Sequence, residues 1–167
     1  MLSGSKLDFD EILISPLAES DIPSILEIEY DSQPEPWSEK AFVEEINRSN
    51  SMVLVARLFT KVSGDRNPEV IAGYICFWSV EDEIQILNIA VRKTLRRKGI
   101  ARKLIELAIQ IGDRHNARLV TLEVRKSNLA ARRLYESFGF RTVGERPDYY
   151  GAQKESAILM ELELRAN

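Results

Sequence analysis

The sequence predicts a mixed α/β (α+β) domain: one central, mostly antiparallel sheet flanked by helices. Three observations carry this. Met52 to Leu58, Val70 to Trp78 and Ile84 to Val91 are apolar, β-branched runs separated by turn residues, which reads as an antiparallel meander. Two stretches with 3.6-residue apolar periodicity follow, one from Gly99 and one from Asn128, and strands separate them. The chain then closes on Ile158, Met160, Leu162 and Leu164, a strict alternation that leaves Glu161 and Glu163 facing out.

In chain order, Ile12 and Ile14 open a first strand that stops at Pro16. Ser20-Asp21 offers a helix N-cap, Pro23 is tolerated in the first turn, and Ile22, Ile25 and Leu26 share a face. Two prolines in Gln33-Pro34-Glu35-Pro36-Trp37 end that helix, because the residue before a proline avoids helical geometry. Ser38 caps a second, short helix through about Asn47. The meander follows, with Gly64-Asp65-Arg66-Asn67-Pro68 as its first loop and Asp82-Glu83 as its second turn. The helix from Gly99 places Ile100, Leu104, Leu107, Ala108 and Ile111 in one stripe. Leu119 to Val124 is a buried-type strand, and Ser127 or Asn128 caps the next helix, which ends at Gly139. Phe140 to Val143 is a short strand before the last one. With no repeat or linker, residues 1–167 read as one domain with a loose lead over 1–10.

Composition narrows the function classes. Apolar residues make up 44% and charged residues 29%, ordinary for a soluble globular chain. No apolar run reaches the ~18–20 residues of a membrane span, and the N-terminal stretch lacks the pattern of a signal peptide. Cys76 is the sole cysteine and His115 the sole histidine, which removes an intrachain disulfide and nearly removes a Cys/His metal site. His115 lies in a polar stretch between a helix and a strand and reads as a surface residue. The net charge of −3 gives no footprint for nucleic acid. The expectation is a reduced, cytoplasmic protein with no metal, no membrane contact and no nucleic-acid partner; oligomeric state is open.

Three segments carry chemistry. In Arg92 to Lys98, five of seven residues are basic although the whole chain is acidic. The segment sits between a strand and a helix start, where unpaired N–H groups and the helix dipole favour an anion. Gly99 and Ala101 would let a phosphate approach the backbone, although a solvated basic turn accounts for the loop equally well. Glu123 stands inside the strand Leu122-Glu123-Val124-Arg125, where a carboxylate is costly unless paired or solvated. Since Thr121, Glu123 and Arg125 share a face, an outward-facing side of a half-exposed sheet explains it too. Tyr135, one turn after Ala131, is an amphipathic aromatic whose hydroxyl lies at the edge of the core.

Together these segments resemble the GCN5-related N-acetyltransferase (GNAT) superfamily over nearly the whole chain. Arg96-Arg97-Lys98-Gly99-Ile100-Ala101 matches its pyrophosphate-binding signature: Gln or Arg, two residues, Gly, one residue, Gly or Ala. Asn128, Leu134-Tyr135 and Gly139-Phe140 follow in the family's order. Pro36-Trp37-Ser38-Glu39, Asn88 to Val91, Leu122 to Asn128 and Tyr149-Tyr150 look like the RimI type, the ribosomal-protein-alanine N-acetyltransferases. Those enzymes acetylate the N-terminal amine of small-subunit ribosomal protein eighteen. The insertion Ser63 to Glu69 and the lead before Ile12 depart from that pattern.

The resemblance implies acetyl-CoA as cosubstrate, a protein N-terminus as acceptor and no metal. It makes Glu123 the general base and Tyr135 the general acid. Ile89, Ala90 and Val91, the loop Arg96, Arg97, Lys98, Gly99, Ile100, Ala101 and Arg102, and the side chain of Asn128 would hold the cofactor. Trp37, Tyr149 and Tyr150 would border the acceptor; two aromatics in an exposed loop after Pro147 is the plainer account of that pair. An amine attacks a thioester only when neutral, and an α-amine (pKa ~7.7–8.0) is deprotonated far more cheaply than lysine (~10.4). A GNAT enzyme acting on a small amine or an internal lysine, and a silent acyl-CoA binding module, are the competing readings.

Overall fold

The structure, a computed structural model, describes residues 9–62, 65–66, 70–151 and 155–164. Its elements are β1 (Phe9–Pro16), α1 (Ile22–Ser32), α2 (Glu39–Asn47), β2 (Ser51–Val62), β3 (Asp65–Arg66), β4 (Val70–Val80), β5 (Glu83–Val91), α3 (Ile100–Arg114), β6 (Leu119–Arg125), α4 (Leu129–Ser137), β7 (Arg141–Tyr150) and β8 (Glu155–Glu163). Seven strands form one sheet in the order β1-β2-β4-β5-β6-β8-β7, and β3 pairs with the end of β2. Every pair is antiparallel except β5 with β6.

The sheet is covered on both faces. On one, α1 packs against β4 and β5 and α2 against β2, burying Ile25, Ile28, Phe42, Val55 and Tyr74. On the other, α3 and α4 cover a larger core that includes Leu104, Ile105, Ala108, Val120, Leu122, Val124 and Met160. Gly112 lets the end of α3 press on the sheet, since a Cβ there would stand 2.8 Å from the Ile84 side chain. Ile105 and Gly112 lie at the centre of the buried stripe, while Leu107 and Ile111 flank it half-buried.

Local signals hold at two helix starts. Ser38 Oγ accepts from the Ala41 amide at 3.2 Å, and Asn128 Oδ1 accepts from the Ala131 amide at 3.2 Å. At α1 the expected cap is absent. The Asp21 carboxylate accepts from the Ala18 amide at 2.8 Å and pairs with Arg57 at 3.0 Å, so a tertiary ion pair takes the side chain a cap would use.

Several boundaries move. β1 begins at Phe9, so Phe9 and Asp10 belong to the sheet and not to a loose lead. Glu83 starts β5, and the turn before it is Glu81-Asp82, with Glu81 at φ +52°. Asp65-Arg66 folds back on β2 inside the segment read as a loop. Residues 63–64 and 67–69 of that insertion, and 1–8 of the lead, lie outside the described residues. β7 runs to Tyr150, well beyond Val143, because β8 offers it a pairing edge along that length.

Candidate active site

One inserted residue opens the sheet. Asn88 pairs with Cys76 and Ile86 with Phe77, which leaves Leu87 as a bulge in β5. Because strand side chains alternate, one extra residue reverses which face each later residue meets. Ile84 and Ile86 therefore belong to the core under α3, whereas Ala90 belongs to the core under α1 and Asn88 bonds to Glu29 of that helix. Beyond the bulge, β5 and β6 part. They pair only from Glu83–Ile86 against Leu119–Leu122; β5 then continues beside β4, and β6 beside β8. Being parallel, both strands run to the mouth of the wedge between them.

A cavity of about 350 Å³ fills this wedge, and its lining includes Ile89, Glu123, Asn128, Tyr135, Trp37, Tyr149 and Tyr150. Seven of the residues singled out in the sequence thus meet on one wall-to-wall space. Glu123 lies on the β6 face that neither α3 nor α4 covers, about a third exposed, and its carboxylate pairs with Arg146 at 3.0 Å. Tyr135 comes from α4 through the opposite core, only 5% exposed and packed on Phe140 with ring centroids 5.7 Å apart. Burial holds its phenol well above the usual tyrosine range, with Tyr150 nearby adding to the shift. Among the described residues no hydrogen bond engages that hydroxyl, and Tyr135 borders the cavity.

Tyr149 and Tyr150 lie on β7, not in a loop. The β7–β8 register breaks between Arg146 and Tyr150, with Asp148 at φ +52°, and this lets neighbouring tyrosines both face the cavity. Arg125 sits over the Tyr150 ring at 4.0 Å and Arg146 over Tyr149 at 4.7 Å. Burial raises both phenols, and the Glu123 carboxylate pushes them in the same direction.

The basic loop follows the C-terminal end of β5, at the mouth of the wedge. Arg97 (φ +61°) and Gly99 (φ +79°) are both left-handed, and α3 starts with no side-chain cap. A Cβ on Gly99 would meet nothing within 4 Å, so there is open space above this stretch of backbone. Free first-turn N–H groups, left-handed turns and that open space suit a diphosphate. The loop's side chains have other work. Arg96 donates to the Val91 carbonyl (3.1 Å) and Ser32 Oγ (3.2 Å), while Arg102 bonds Ser137 Oγ (2.9 Å) and stacks on Phe138. Ile100 is core, Ala90 and Val91 are buried, and Ala101 is half-buried, so those four offer backbone rather than side chains; Lys98 is exposed.

Glu29, Gln33, Glu35 and Asn88 also line the cavity, and the sequence assigned none of them a catalytic or binding role. Glu29 is fully buried and accepts from the Trp37 amide (2.9 Å), from Asn88 Nδ2 (3.1 and 3.2 Å) and from the Tyr74 hydroxyl. Burial raises its pKa against the opposing pull of the Trp37 amide and Asn88. The sequence did hold a signal: with Ile22 and Ile25, Glu29 completes the apolar stripe of α1, where a carboxylate needs several partners. No group of three or more His, Cys, Asp or Glu able to hold a metal occurs among the described residues, and no helix among them is long and apolar enough to cross a membrane.

Comparison with known proteins gives this geometry its chemistry. Residues 22–140 match the model of the acetyltransferase (GNAT) family. A [ribosomal protein bS18]-alanine N-acetyltransferase of Salmonella typhimurium is 35% identical over 151 residues, covering 89% of this chain and 95% of that protein. The crystal structure of the ribosomal-protein-S18-alanine N-acetyltransferase from Escherichia coli superposes with a TM-score of 0.80 at 31% identity, covering 94% and 96% of the two chains. A chain of the NatC complex, solved with Gag peptide and CoA, matches with a TM-score of 0.75 at 27% identity over 93% and 99%. This chain therefore belongs to the GNAT family and is an acetyl-CoA-dependent N-acetyltransferase.

Proposed function

We propose that this enzyme acetylates the α-amine of a protein N-terminus, with the N-terminal alanine of ribosomal protein bS18 as its acceptor. The observation that carries this is the convergence of Glu123, Tyr135, Tyr149 and Tyr150 with the Trp37 loop around one wedge-shaped cavity. The naming of its relatives for the bS18 alanine supports the choice of acceptor.

In this reading the loop after β5 and the start of α3 hold the diphosphate of the cosubstrate through backbone N–H groups, and Asn128 helps fix the rest. The acceptor amine enters between Tyr149, Tyr150 and the Trp37 loop. The amine attacks in its neutral form: the nitrogen lone pair forms the new N–C bond while Glu123, directly or through a water, takes the one proton that the nitrogen gives up on becoming an amide. The Ile89 N–H meets the oxyanion that develops on the acetyl carbonyl. The C–S bond breaks with its electron pair going to sulfur, and Tyr135 shares its proton with the departing thiolate. Its upward-shifted pKa keeps the phenol protonated at neutral pH, the form a donor needs.

Mass spectrometry of transfer from acetyl-CoA to a peptide bearing the bS18 N-terminus tests the proposal. The controls are the same peptide with its α-amine blocked and a lysine peptide with a blocked end. Acetylation of the free α-amine alone is the expected result. Labelling of lysine or of small amines in its place, or cofactor binding without transfer, would overturn it.

A further inference from the structure

A buried relay runs from α1 to the edge of the cavity and plays no part in the steps above. Its anchor is Glu29, fully buried, with the Trp37 amide, the Tyr74 hydroxyl and Asn88 Nδ2 all donating to its two oxygens. A carboxylate without polar partners there would be strongly unfavourable, and a carboxamide could not receive so many donors. Asn88 has Nδ2 committed to Glu29, which turns its Oδ1 toward Gln33, whose Nε2 donates to it at 3.0 Å. The same Gln33 Nε2 reaches the Ile89 carbonyl at 3.4 Å. In an extended strand the N–H and C=O of one residue point to the same side. The carbonyl that Gln33 holds therefore lies on the side toward which the Ile89 N–H also points, away from β4 and into the wedge. All of this occurs one and two residues past the Leu87 bulge, where β5 has left β6 and no neighbouring strand fixes its free edge.

We infer that Glu29 is a positioning residue: through Asn88 and Gln33 it fixes the Ile89 peptide group so that its N–H meets the acetyl carbonyl, and through the Trp37 amide it holds the acceptor-side loop at a set distance from that group. The inference rests on the proposed role of the Ile89 N–H. It assigns Glu29 no proton transfer, because every oxygen already receives hydrogen bonds. What it supplies is preorganisation of an edge that the sheet itself leaves unsupported. Such a role strengthens interactions in the transition state while leaving ground-state binding of the cosubstrate alone.

The test uses Gln33→Ala, which removes the half-buried link between Asn88 and the Ile89 carbonyl and leaves the bonds of Glu29 in place, beside Glu29→Gln, which changes the buried anchor. Steady-state kinetics on the peptide acceptor is paired with the amide NMR signal of Ile89 as acetyl-CoA is added. The expected result is a kcat lowered about 10- to 100-fold in Gln33→Ala, with the KM for acetyl-CoA within about two-fold and an unchanged melting temperature. The acetyl-CoA-induced shift of the Ile89 amide, present in the parent, should shrink in both variants. Glu29→Gln and Gln33→Ala combined should cost little more than the worse single change, because both cut one chain. If Glu29→Gln does not fold, Gln33→Ala still decides the matter. A parent-like kcat and Ile89 shift in Gln33→Ala would sink the relay and leave the α-amine reading standing. An Ile89 amide that does not respond to acetyl-CoA in the parent would sink the relay and the oxyanion role together, while α-amine labelling reports separately on the acceptor.

Discussion

Replacing Glu123 by glutamine removes the proposed base while keeping shape, and the structure says how much else changes. The side chain is about 30% exposed and its partner Arg146 about 52%, so their ion pair contributes under ~1 kcal/mol to stability. The amide oxygen of glutamine still accepts from Arg146, and melting should move by no more than about 2–4 °C. Catalysis should respond very differently. At pH 7 an α-amine with a pKa near 7.9 costs about 1.2 kcal/mol to deprotonate, and an uncatalysed loss of the remaining proton during attack costs more. A positioned base contributes roughly 10²–10⁴-fold, so kcat/KM for the peptide should fall by that factor at pH 7. The pH dependence gives the sharper signature. Both enzymes need the neutral amine, so both rates should climb towards the amine's own pKa; the parent should then level, while the variant goes on rising as hydroxide takes over the proton that Glu123 removes, so that the gap between them narrows. Peptide kinetics from pH 6 to 9, with acetyl-CoA binding measured by calorimetry, checks this. A Glu123→Gln enzyme within threefold of the parent at pH 7 would refute the assignment and leave Glu123 a solvated strand residue.

Three further changes follow from the same geometry. Tyr135→Phe deletes a hydroxyl that no described residue bonds, so it should leave stability within about 1 kcal/mol and lower kcat by roughly 10- to 100-fold; since burial raises that phenol, the parent's pH–rate profile should show no falling limb from Tyr135 below pH 10, and a near-normal kcat would make it a packing residue. Gly99→Ala forces a side chain into φ +79° and puts a methyl into the open space over the loop; about 1–2 kcal/mol of strain predicts a melting drop of roughly 2–8 °C with a several-fold rise in the acetyl-CoA KM, read by calorimetry and kinetics. Asp21→Asn breaks a mostly buried ion pair and should cost roughly 3 kcal/mol by urea denaturation. Arg57 lowers the Asp21 pKa in the folded state, so the pair's contribution is complete above the ordinary carboxylate pKa and fades as pH falls through the lowered value; the gap between parent and variant should be flat from pH 7 to about 4 and close below that.

Local sequence alone determined the periodic elements. The alternation of β4 to β6 and β8, the Ser38 and Asn128 caps, the Gly99 helix start and the order of the GNAT-like segments all rest on interactions within a few residues, which the chain displays directly. Tertiary structure decided everything that depends on a distant partner. Asp21 has the chemistry of a cap but serves Arg57, 36 residues away, because the ion pair satisfies the carboxylate more fully than one amide would. Leu87 is an ordinary strand residue until β4 pairs around it; only then does it become the bulge that reverses the face of Asn88 and opens β5 from β6. Tyr149 and Tyr150 become strand residues facing the cavity because β8 gives β7 an edge to pair with. Glu29, a carboxylate on an apolar helical stripe, went unremarked in the sequence because its partners Trp37, Tyr74 and Asn88 lie 8, 45 and 59 residues away. Residue types and short spacings name the groups able to do the chemistry; the pairing of remote strands decides which of them face the same few hundred cubic ångströms, because a cavity is a property of surfaces that only folding brings together.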